Sequence, residues 1–416
     1  MTRVAALAAA LAAALVAGSE APGKVEGRLF ALLGTQTGQF VIEVDPGTLE
    51  PVAGRKLKLA PAGPGAPWTL DPSRHTLAIA RGNRLRFIDL PTLRAAGSVK
   101  LRGPAEPEGL MEPSGVVWLQ PDRIVVLRRG VERYEVAVLD VARRTIVSRQ
   151  MLAGGYVVDS ERTGSEVVIL RAPTAGIGPA SLLIVGSVGE AREIPLGRIL
   201  AGWHFDHDAN PPSGQENVPA LALDAQRRVA YVVAPDGVVA EISLDLHSVA
   251  YHVLRGRFAK MYSGSSRQAF VLDGKLLVTG SDSEVWTLAN GEQAMRTDPA
   301  GLDLIDPATW LVRRLANSVS SIAPCPGGFL ATGGNWTSQG GFERGIGLAA
   351  YGLDGAERFK VLDGKRLWIS AVYGGRVYIT ANEEPMRIID VESGRLIGTR
   401  KGYLPWLLLE QNAMVW

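Results

Sequence analysis

An all-β fold is predicted by three features of this sequence. A strand–turn–strand unit recurs along the chain at a period of about 50 residues. Each copy ends a short hydrophobic strand in an Asp- or Gly-containing turn, as in Asp45-Pro46-Gly47-Thr48, Asp89-Leu90-Pro91-Thr92, Asp306-Pro307-Ala308-Thr309 and Asp390-Val391-Glu392-Ser393. The 416 residues also include 48 Gly and 25 Pro, against a hydrophobic content of 46% that supports a large core. A small unit of this kind cannot bury both its faces alone and must stack on its neighbours. The reading is a β-propeller of eight blades, with seven as the alternative, its ring closed by a C-terminal strand pairing with the first blade.

Each unit is taken as four strands, a to d, from the centre outward. Candidate b strands begin near Arg28, His75, Arg123, Glu166, Arg228, Lys275, Gly328 and Arg376. Tight a–b turns precede them, such as Asp71-Pro72-Ser73-Arg74 and Tyr373-Gly374-Gly375-Arg376. Pro presets one dihedral, Gly supplies positive φ, and Asp bonds the backbone ahead of it, so the recurring acids are read as turn formers. The first unit lacks an a strand. Leu404-Pro405-Trp406-Leu407-Leu408 repeats the pattern of Ala66-Pro67-Trp68-Thr69-Leu70, which opens the second unit, and is therefore expected to fill the gap.

The N-terminus reads as a signal segment over residues 1–21. Arg3 gives a positive start, residues 4–16 are an apolar Ala/Leu/Val run, and small residues follow. The chain is expected to be secreted, periplasmic or held in the cell envelope, with one propeller domain over 28–416. No transmembrane span is expected once the signal is removed, and the domain is expected to be a monomer. A net charge of +2 gives no field that would gather nucleic acid. The arginine pairs Arg128-Arg129, Arg143-Arg144, Arg227-Arg228 and Arg313-Arg314 are read as solvated turns and strand edges. Cys325 is the single cysteine, so no internal disulfide can form, and it reads as a structural thiol.

The segments Arg376-Val377-Tyr378-Ile379-Thr380-Ala381-Asn382, Met386-Arg387-Ile388-Ile389-Asp390 and Gly394-Arg395-Leu396-Ile397-Gly398-Thr399 resemble the YVTN-type propeller repeat. That repeat belongs to the group of quinoprotein amine dehydrogenase-like and WD-type propellers, and the chain looks most like the group's secreted bacterial members. Eight-bladed quinoproteins suggest a pyrroloquinoline quinone cofactor. Their repeated tryptophan docking motif is missing here, as are adjacent cysteines, so no cofactor is expected.

Alternating strand direction places a–b and c–d turns on one face of the disk and b–c and d–a connections on the other. The first kind are all short. The long connections, 103–113, 172–180, 198–218, 255–267, 282–300 and 334–347, all fall on the second face, which is where binding is expected. Two clusters there carry the candidate ligand-binding residues. One is Trp203, His204, Asp206, His207 and Asp208; the other is Trp336, Phe342 and Arg344 in a glycine-rich segment. Aromatic and Arg side chains of this kind dominate recognition surfaces. The function read from the sequence is a binding or scaffold module for a protein, peptide or glycan. The alternative is a lactonase-type hydrolase with a metal near the channel mouth, for which His204 and His207 are the available ligands. No catalytic residue and no metal site is assigned.

Overall fold

The computed structural model describes residues 28–35, 38–59, 66–101, 111–130, 133–206, 213–254, 264–288, 290–337, 343–381, 385–400, 406–407 and 412–413. The expected signal segment lies outside them. The described chain is all β, and its strands begin where the repeat places them. The predicted b strands are Leu29–Thr35, Thr76–Arg81, Arg123–Arg129, Glu166–Ala172, Val229–Val233, Lys275–Thr287, Gly328–Thr337 and Arg376–Thr380. The turn acids act as predicted. The Asp45 carboxylate accepts the N–H groups of Gly47 and Thr48, both at 2.8 Å, and the Asp390 carboxylate accepts that of Ser393 at 2.8 Å. Thr92 donates to Asp89 from both N–H and hydroxyl, which holds the Asp89 carboxyl below the usual range.

The blade count is corrected. The strands form five discrete blades, four of four strands and one of five, together with one continuous 14-stranded sheet. They do not form the eight blades, or the seven, that the period predicts. The candidate b strands near Glu166, Lys275 and Gly328 all lie within the large sheet. The physical reason is strand length. In this part of the chain the strands run past the blade edge, and their protruding ends hydrogen-bond from one repeat to the next. Nor do the ladders run round into a closed ring. Trp406–Leu407 pairs with Ala31 and Leu32 of the first blade, whereas Asn412–Ala413 pairs with Thr69 and Trp68 of the second.

The core lies between sheets, in slabs of aliphatic side chains. Ala78, Phe87, Val116, Trp118 and Val126 pack one blade on the next. Leu182, Ile194, Leu221 and Val232 pack the large sheet on the blade of residues 220–253. Leu29, Ile42, Tyr378, Met386 and Ile388 pack the first blade against the last. At that last contact Arg376 and the Tyr378 hydroxyl both donate to Pro46 O at 2.9 Å. Burial is the main cause that pushes the Tyr378 phenol up to about 12.

Side-chain acceptors on inner strands stitch neighbouring repeats. Thr69 Oγ1 accepts the N–H of Trp118 at 3.2 Å, Asp159 Oδ2 that of Leu221 at 3.2 Å, and Gln268 Oε1 that of Ile322 at 2.9 Å. Asp159 sits at a bulge in its strand. Desolvation raises its carboxyl to about 6, although two backbone N–H donors work against the shift.

Candidate functional site

The long connections of the second face are mainly strands, not loops, where they are described. Segments read as 172–180, 198–218, 282–300 and 334–347 are β-hairpins that continue the blade strands outward. They join edge to edge into a canopy. Gly176–Gly186 pairs with Ala191–Asp206, which pairs with Ser213–Val218. That strand runs parallel to Gly264–Leu272, next to Lys275–Thr287 and Gln293–Pro299. Gln293–Pro299 then pairs with Gly328–Thr337, and that with Glu343–Gly352. Where the strands leave the blades, two glycines permit the bend. A Cβ on Gly280 (φ 153°) would lie 2.0 Å from Ser266 O, and one on Gly334 (φ 149°) would lie 2.4 Å from Arg344 O.

Register assigns the canopy's side chains to faces. One row runs Trp203, Glu216, Gly264, Ser283, Thr297 and Trp336 by successive Cα pairing. Paired residues share a face of a sheet, and neighbours along a strand alternate. Trp203 and Trp336 therefore lie on the same face, five strand spacings apart, about 24 Å. Trp203 is 54% exposed, Trp336 is half-buried, and the Tyr156 hydroxyl accepts the Trp203 N–H at 2.9 Å. Between the indoles lie hydroxyls in contact, Ser283 with Thr297 at 2.9 Å and Ser266 with Ser281 at 3.1 Å.

The opposite parity is charged and packed. Arg267 and Asp282 are both 6% exposed and ion-paired at 2.9 Å. Arg267 also donates to Pro235 O at 2.9 Å, in the turn above the blade of residues 220–253. The face carrying Arg267 thus rests on that blade, and the Trp203–Trp336 face turns away from it.

This geometry divides the residues singled out in the sequence. Trp203 and Trp336 come onto one face. His204, paired with Gln215, and Arg344, paired with Asn335, lie on the other, both exposed. Asp206 is paired with Ser213 at the hairpin's end. His207, Asp208 and Phe342 lie outside the described residues. A contiguous cluster in sequence is thereby split by strand alternation. Among the described residues no group of three or more His, Cys, Asp and Glu is placed to hold a metal ion.

Sequence reasoning missed the buried arginines. Arg128, read as a solvated edge, is 1% exposed and ion-paired with Glu135 at 3.1 Å. It donates to Leu101 O and Met111 O, at 3.4 Å each, and so ties the two ends of one long connection. Arg171, 3% exposed, donates to the adjacent carbonyls Ala153 O and Gly154 O, at 2.7 and 3.2 Å. Both lie within a hydrophobic b strand, next to its last residue, and the unbroken apolar run before them is the signal that could have placed them inside.

On the other face of the disk, a cleft of about 290 Å³ lies between Glu166, Arg192, Arg228, Asp245 and His247. Its charge is paired internally: Arg228 bonds Glu166 at 2.8 Å and Asp245 at 2.6 Å, and Arg192 contacts His247 Nδ1 at 2.7 Å. It offers a ligand less than the canopy does.

No protein-family profile and no curated protein matches the chain. Solved structures do. Dihydro-heme d1 dehydrogenase NirN, solved in complex with DHE, aligns with a TM-score of 0.54 at 12% identity, covering 95% of this chain and 76% of that one. The computationally designed protein Ika8 aligns at 0.50 and 11%, covering 82% and 89%. BamB from Moraxella catarrhalis aligns at 0.44 and 11%, covering 84% and 90%. At these identities the likeness shows the fold alone, and the chain has the β-propeller arrangement. The class that fold and geometry define is a β-propeller module, canopied on one face.

Proposed function

We propose that this chain is an extracytoplasmic β-propeller that binds an extended glycan along the Trp203–Trp336 face of the canopy. One observation carries the reading: a single sheet row sets two indoles about 24 Å apart with hydroxyl pairs between them. Indole faces stack on sugar rings, and Ser and Thr hydroxyls exchange hydrogen bonds with sugar hydroxyls in either direction. Glu216 is the described charged side chain in the row, which favours a hydroxylated ligand over an anionic one. The resemblance to YVTN-type repeats and the apolar residues 4–16 support export and a single propeller domain over 28–416.

The test is retention on an oligosaccharide array beside a peptide array. Binding is expected on the first, with Trp203→Ala and Trp336→Ala each costing about 2 kcal/mol, roughly thirtyfold in affinity. Binding confined to peptides, or insensitive to both substitutions, contradicts the reading.

A further inference from the structure

The face opposite the canopy carries a feature that ligand binding does not use. Five successive c–d turns or strand starts along the last five repeats each expose an aliphatic side chain: Val188, Leu246, Leu311, Leu353 and Leu396. Leu246 is 79% exposed and Leu311 71%. These turns lie side by side, because each reaches the outer strand of the preceding repeat. His247 meets Arg192, and the Asp354 carbonyl accepts from Arg313.

The described chain enters the fold on this same face. Arg28 donates to Pro91 O at 2.6 Å, within the Asp89 turn. The apolar run 4–16 lies eleven residues upstream of Arg28. Where the signal segment is retained, an eleven-residue stretch reaches up to about 37 Å, enough to bring that run to the plane of the turn tips.

We infer that this face lies against a lipid bilayer, with the five aliphatic tips entering its interface. An arc of tips on one face of a disk suits a flat partner, and exposed apolar patches mark membrane or protein contact sites. The adjoining charges alternate in sign: exposed Arg192, Arg313, Arg358 and Arg395 are interleaved with Glu190, Asp245, Asp354, Glu357 and Glu392. Attachment therefore rests on apolar burial and not on attraction to anionic lipid, so it is weakly screened by salt.

The experiment is flotation of the full chain with vesicles of phosphatidylcholine alone, and of phosphatidylethanolamine and phosphatidylglycerol. Wild type is compared with Leu246→Ser/Leu311→Ser, after thermal melting confirms that the variant folds, and with Leu7→Asp/Leu11→Asp in the N-terminal run. The tip variant is expected to lower the bound fraction about tenfold on both vesicles, with little change in raised salt. Three results overturn the proposal. One is a tip variant that floats like wild type while the N-terminal variant does not. Another is binding that requires phosphatidylglycerol and fails in salt. The third is absence of vesicle binding with a self-association that the tip variant abolishes, which would assign the face to a second copy.

Discussion

Asp159 shows how a single residue links sheet packing to pH. Its carboxylate accepts the Leu221 N–H across the junction between two sheets, in surroundings that raise its pKa to about 6. The unfolded value is near 3.9. Between those values the folded state holds the proton and the unfolded state releases it, so stability falls as pH rises through the window. The cost above pH 6 is about 2–3 kcal/mol. Asp159→Asn keeps an acceptor and removes the charge. It is expected to raise the urea midpoint at pH 7 and to flatten the decline between pH 4 and 6. An unchanged pH slope would show that the carboxyl is not desolvated as described. Such a role was not legible in the sequence, where Asp159 has no turn context and its partner lies 62 residues away. The turn acids were legible because their partners are two or three residues ahead.

At the scale of elements, the repeat located each b strand to within a residue, since hydrophobic runs bounded by Gly, Pro and Asp are local signals. The canopy was not legible. Its segments Ser281-Asp282-Ser283-Glu284 and Asn335-Trp336-Thr337 lack the unbroken apolar runs of the blade strands. They are ordered by edge-to-edge pairing with distant hairpins, which no local pattern encodes. The same reading placed Trp203 beside His204 as one cluster, and alternation along a strand separates them. Gly280 is the element's weak point: with a Cβ there 2.0 Å from Ser266 O, Gly280→Ala forces the two strands apart. The substitution is expected to cost about 3 kcal/mol in stability and to weaken ligand binding beyond that effect. A melting curve like wild type's would show that the junction tolerates a side chain.

For the whole molecule, long strands explain both the departure from equal blades and the site. Hairpins that pair across repeats remove blade edges, which would otherwise remain open on this side. They also convert separate connections into one rigid row on which a ligand's length can be measured. The period predicted which face is elaborated, and that face carries the canopy. It could not predict five discrete blades, because the fusion of the others depends on how far their strands extend. The two faces then divide the work proposed here, glycan on the canopy and bilayer on the turns.

The central claim is that one ligand chain spans both indoles. Calorimetric titration of Trp203→Ala, Trp336→Ala and the double variant, with a disaccharide and with a longer oligosaccharide of the same linkage chosen from the array, tests it directly. Each single substitution is expected to weaken the long ligand at least about tenfold, whereas the disaccharide responds to one of the two only. Equal responses for both lengths, or none for either, would contradict the account.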